Sequence, residues 1–253
     1  MTLFRRFLPF LIALLQGALF WFQLRHPLAY PWVGVFGVIA LPLATVVIVW
    51  KRLPIRDAFE RMLPSFILLA SLAFALLLVE GPVATWTLLF LACATPLVSL
   101  ELLFLLVYHP PRYPVNGLSH ANVAYVPVAV WYVASTSNGL LIFLHVHALW
   151  HIALMITLGA LLFRTTGHTG ATAQEKSIWT PLGVVIGAHV GLLGLLLPVS
   201  MPMHGIIAAL IMSAALRARR YLYEPRPSLR QAWIESFGAL SFFIFTLATA
   251  KWL

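Results

Sequence analysis

Of the 253 residues, 62% are hydrophobic and only 9% are charged, against roughly 25% charged in a typical soluble domain. That composition excludes a water-soluble surface and makes lipid the solvent. The net charge of +9 sits in short basic clusters between apolar runs, a pattern that encodes membrane topology rather than nucleic-acid binding, and the single Cys93 excludes a disulfide framework or a cysteine-based zinc motif.

In chain order, Arg5 and Arg6 precede an apolar stretch over residues 7–22 that has the charge order of a signal peptide but no small-residue cleavage site, so it reads as an uncleaved first span. Further spans are expected over residues 31–50, 62–79 and 83–107, the last kinked at Pro96. Between the second and third, residues 54–63 set Ile55, Phe59 and Met62 against Arg56, Glu60 and Arg61 at helical spacing, so this stretch is expected to lie flat at the interface. Three prolines stiffen the connection from Tyr108 to Pro114. A fifth span over 118–134 is expected to turn at Ser135-Thr136-Ser137-Asn138-Gly139 directly into a sixth over 139–163. Spans over 179–198, 201–216 and 233–253 complete a single integral membrane domain, residues 1–253, that is all-α with about nine transmembrane helices.

Lys and Arg concentrate in cytoplasmic connections. With nine spans, all but Arg25 and Lys251 of the sixteen basic residues fall on one side. The expected orientation is therefore N-terminus cytoplasmic and C-terminus outside, in a plasma membrane of the bacterial inner-membrane type. The Arg-rich stretch from Arg217 to Arg230 is placed beside anionic lipid headgroups, with topology and lipid contact as its plain explanation. An odd span count and the lack of an internal repeat speak against a duplicated transporter.

Ionisable side chains inside a bilayer are expensive and mark candidate sites. Here they are Glu101 in the fourth span, His145, His147 and His151 in the sixth and His189 in the seventh. Four residues apart, His147 and His151 share one face of a continuous helix, whereas His145 points about 160° away from His147. The zincin pattern is absent, because Ala148-Leu149-Trp150 separates the pair without a glutamate. Counted from the outer surface, His147 lies about 12 Å deep, His151 about 18 Å and His189 about 13 Å. One layer therefore holds His147, His151 and His189 as candidate ligands of a haem or a transition metal, copper or iron. The ordinary explanation for each is a hydrogen-bonded packing histidine. Glu101 falls at another depth and stands apart. At the outer mouth Met203 and His204, within Met201-Pro202-Met203-His204, form a weaker candidate for copper capture. Gly183, Gly187 and Gly191 predict a close helix contact on the face of the seventh span opposite His189.

These features leave three expectations open: a haem- or metal-binding redox-related membrane protein, a permease or channel with a histidine-lined path, or a non-catalytic subunit of a larger membrane complex with partner subunits. An optical spectrum separates the first from the others. Dinucleotide fingerprints, P-loops and Gly-x-Ser-x-Gly motifs are absent.

Overall fold

The computed structural model describes residues 2–113, 117–165 and 173–223, with isolated positions 233, 237, 238, 240, 241 and 244. In chain order the helices are α1 (Thr2–Arg25), α2 (Tyr30–Val49), α3 (Ile55–Ala75), α4 (Pro82–Tyr108), α5 (Gly117–Leu144), α6 (Ala148–Thr165), α7 (Ala173–Leu196) and α8 (Met201–Tyr223). Among the described residues, these eight helices are each long and apolar enough to cross a membrane. Large apolar side chains point away from the protein, among them Leu14 at 72% and Phe90 at 69% exposure, as a lipid-facing surface requires. The chain is a multi-pass membrane protein whose described regular elements are helices. The expected ninth span over residues 233–253 lies outside the described residues apart from isolated positions, as do Arg226 and Arg230.

Two expected boundaries move. The stretch 54–63 does not lie apart as an interfacial segment: α3 begins at Ile55 and runs unbroken to Ala75, with Ala58 and Met62 fully buried. The turn expected at residues 135–139 is helical, and α5 continues to Leu144. Ser and Asn favour turns in water because their side chains compete for the backbone. Inside a bilayer an opened backbone has no water to bond, so the helix keeps its ladder, and Ser137 and Asn138 find side-chain partners elsewhere. The break falls instead at His145-Val146-His147. There His145 takes a left-handed φ of 50°, and the Val146 N–H bonds the Leu140 carbonyl, 3.4 Å, closing the end of α5.

The chain divides into two compact units, residues 1–125 and 126–253. In the first, α1 packs on α4 and α2, and α2 packs on α3. Lipid tails are as apolar as leucine, so packing and hydrogen bonds must hold these helices together. Buried Gln16 of α1 donates to the Gly37 carbonyl of α2. Ser65 of α3 bonds Ser99 of α4 at 2.8 Å. Tyr108 at the end of α4 donates to the Ile48 carbonyl at 3.0 Å and accepts from Arg5.

In the second unit, α6 and α7 meet along glycines. A Cβ on Gly183 would lie 2.7 Å from Phe163 Cβ, and one on Gly187 2.9 Å from Ile156 Cα. At Gly191 it would lie 3.0 Å from Ile152 Cα. Only hydrogen at these positions lets the backbones approach this closely. The partner of the expected glycine seam is therefore α6. At the other end of this pair, buried Arg219 of α8 donates to the Phe163 carbonyl near the end of α6 and lies over the Trp179 ring, 5.3 Å from its centroid. A cation at the C-terminal carbonyls of a helix is favourable.

Candidate functional site

The first turns of α6 and α8, the last turn of α7 and the Ser135–Asn138 stretch of α5 meet at one end of the second unit. His151 on α6 and His204 on α8 are buried there, 2% and 1% exposed, with ring centroids 5.5 Å apart and planes inclined at 52°.

Local chemistry fixes much of this arrangement. The Gly194 carbonyl, four residues before Pro198, cannot receive the usual helical hydrogen bond because proline has no N–H. Asn138 donates to that carbonyl instead, Nδ2 to O at 3.2 Å, tying α5 to α7. One residue earlier, the Ser137 hydroxyl donates to the Ala134 carbonyl at 3.2 Å. Its oxygen also lies 2.9 Å from His151 Nδ1, and with the hydroxyl hydrogen on the Ala134 carbonyl the Nδ1–H of His151 donates to it. Neutral His151 then carries a lone pair on Nε2. That Nε2, together with Nδ1 and Nε2 of His204, is buried without a hydrogen-bond partner. Asn138 Oδ1 and the Ser135 hydroxyl are unpartnered as well.

Gly194 sets the space between the rings. A Cβ there would lie 2.6 Å from His151 Nε2 and would overlap Cε1 and Nε2 of His204. Both Nε2 atoms therefore border the same point, and only a residue without a side chain fits beside them. Trp131 holds the entry to α8, donating from Nε1 to the Pro202 carbonyl at 3.1 Å, and Gly205 leaves room for Trp131 and Ser135.

The expected triad of His147, His151 and His189 is not assembled. His147 and His151 do not share a helix face, because α6 starts at Ala148. His147 precedes the helix and is exposed on an open groove with Leu149, Trp150 and Ala153. Its Nδ1 accepts the Leu149 N–H at 3.2 Å, which makes it an N-terminal cap. His145, at the left-handed end of α5, is exposed. His189 is also exposed and turns back on its own helix, Nδ1 to the Val185 carbonyl at 2.8 Å, opposite the glycine face that meets α6. The late start of α6 also places His151 only about 6 Å from the helix end, against the expected 18 Å.

The candidates at the mouth of α8 separate too. His204 joins the buried cluster, whereas Met203 packs with the apolar side chains of Val199 and Ile207. In the first unit Glu101 pairs with Arg6, whose guanidinium lies over Phe104. Because α1 begins at Thr2, this arginine is helical and reaches an acid on α4. Glu101 is a helix-pairing residue.

Sequence reasoning missed Ser137, Asn138 and Gly194. The available signal was the spacing of Gly194 from Pro198, which announces a carbonyl in need of an outside donor. Among the described residues no group of three or more His, Cys, Asp or Glu is placed to hold a metal ion, so any ion at this site depends on two imidazoles and neutral oxygens. No family model, curated protein or solved structure matches the chain.

Proposed function

We propose that this membrane protein binds a transition-metal ion at the His151–His204 pair, and that its role is metal-handling or redox-related. The observation that carries the reading is the burial of three partnerless imidazole nitrogens on two adjacent rings, two of them against Gly194. An unsatisfied polar group in an apolar surround costs free energy, about 1–3 kcal/mol each in proteins, so their persistence calls for a ligand. The Ser137 contact to His151 Nδ1 has the form of the outer-shell bonds that orient metal-binding histidines. A haem fits less well than an ion. The gap is closed from the side by the Gly194 backbone, where even a methyl group would overlap the rings.

The chain's own residues supply two neutral nitrogen donors and exclude water by burial. Imidazole suits copper, iron, nickel and zinc. In the proposed topology the N-terminus is cytoplasmic, the site lies near the outer side of a plasma membrane, and anionic lipids meet the basic connections.

Protein purified in detergent should contain about one equivalent of metal by elemental analysis and lack a haem absorption band. The double variant His151→Ala/His204→Ala should lose the metal, while His147→Ala/His189→Ala keeps it. Equal metal content in all three proteins would remove the reading. The topology has its own test: a cytoplasm-dependent fluorescent fusion should be bright after Arg226 and dark at Leu253, and a bright fusion at Leu253 overturns nine spans.

A further inference from the structure

Resting on the metal reading above, we infer that the ion is monovalent and d10, Cu(I) or Ag(I), held two-coordinate between the Nε2 atoms of His151 and His204. Three observations lead there.

The donors are few and neutral. Two imidazoles with unpartnered Nε2 atoms pack against Gly194, and the described cluster brings no carboxylate or thiolate beside them. Zinc sites are almost always four-coordinate, and catalytic ones use at least three protein ligands. Monovalent d10 ions are content with two donors in line.

Charge gives the second argument. His151 and His204 are almost wholly buried, and the idealised cost of burying an ion grows with the square of its charge. A divalent ion with only neutral ligands keeps its full double charge and pays four times the desolvation of a monovalent one. The helix ends do not correct this. The first turns of α6 and α8 and the last turn of α7 meet here, so positive dipole ends outnumber negative ones and add nothing that would favour a second positive charge.

The third is spacing. An ion about 2 Å from a nitrogen on each side sets imidazole centres roughly 6 Å apart, and the observed separation is 5.5 Å. Both Nε2 atoms lie against Gly194 and are unpartnered, and the rings are already near the separation an ion sets, so loading needs a small adjustment of side chains rather than a movement of helices. With the Ser137 hydrogen on the Ala134 carbonyl, His151 is the tautomer whose Nε2 presents the lone pair that binding requires.

The test titrates full-length protein in detergent with Ag(I), with Cu(I) held anaerobically against a chromophoric chelator, and with Zn(II) and Co(II). Ag(I) and Cu(I) are expected to bind one equivalent. Affinity should fall about 100-fold in His151→Ala and in His204→Ala, and about 10-fold in Ser137→Ala, which removes only the orienting bond. His204→Gln, which keeps the side chain polar and of similar size, should also lose the ion, with thermal melting showing that each variant is folded. The X-ray absorption edge of the Cu(I) form should have the shape of two-coordinate copper with nitrogen ligands. If Zn(II) or Co(II) binds as tightly through the same two histidines, the metal reading stands and this inference falls. If folded protein binds none of the four ions, both fall. Cu(I) binding that survives the loss of both histidines overturns both as well.

Discussion

The two units treat buried polarity differently. In residues 1–125 the intramembrane polar groups are fasteners: Gln16 reaches across to α2, Ser65 to α4, and Arg6 to Glu101. Where Gln16 or Glu101 leaves an oxygen unpartnered, another polar atom of the same side chain is bonded, and the exception is the single hydroxyl of buried Thr95. In residues 126–253 glycine contacts, Asn138, Trp131 and Arg219 fasten the helices, while three imidazole nitrogens of His151 and His204 gather unpartnered at one place. A polar group that bonds a neighbouring helix needs no further explanation. One left with nothing in a region without water does.

The largest effects should come from breaking the α6–α7 seam. Gly187→Leu forces a side chain into the backbone of Met155 and Ile156, and overpacking of this kind costs about 1–3 kcal/mol or more. A marked drop in thermal stability in detergent is expected. Gly34→Leu on α2 is the matching control in the first unit. A Cβ there meets nothing within 4 Å, and its effect should stay within about 0.5 kcal/mol. Equal losses in the two variants would mean that the seam is not what holds the second unit.

Gly194→Ala comes next and bears on the site itself. Its methyl group would overlap both imidazoles, so a cost of about 1–3 kcal/mol is expected together with loss of the bound ion. Unchanged metal content in this variant would show that the ion does not lie between the rings.

Much of the fold was legible because spans need long apolar runs, and such runs are hard to hide. The glycine stripe was legible for the same kind of reason: Gly183, Gly187 and Gly191 repeat at helical spacing and have one physical use. The site was less so. Reading Ser135 to Gly139 as a turn applied water's rules to a segment that has no water, and this moved the start of α6 by several residues. Every depth and facing argument for His147 and His151 followed from that boundary. His204 was seen only as a neighbour of Met203, although residues adjacent on a helix point about 100° apart. Its approach to His151 depends on where α8 lies against α6, which no local pattern encodes.

Smaller effects are expected at the pair in the first unit. Arg6 and Glu101 have side-chain exposures of 45% and 25%, and partly exposed ion pairs contribute up to about 1 kcal/mol. A double-mutant cycle of Arg6→Ala and Glu101→Gln, read by thermal unfolding, should give a coupling of that order. It should leave metal content unchanged. A loss of metal in Glu101→Gln would move the acid from fastening into the site and undo the contrast between the units.

The smallest effects belong to His147 and His189, two of the three histidines that the sequence placed in one layer. His147 caps α6 by accepting the Leu149 N–H, and removing a cap costs about 0.5–2 kcal/mol in favourable cases. Histidine is not a preferred cap, and this one is exposed, so His147→Ala should fall at the low end and His147→Asn should restore it. His189 bonds only the Val185 carbonyl of its own helix, a group that the helical ladder already serves, so His189→Ala should change stability by less than about 0.5 kcal/mol. Metal stoichiometry should be the same as in the unaltered protein for both. Loss of the ion in either variant, with the fold intact, would return the site to the midplane layer and remove His204 from it.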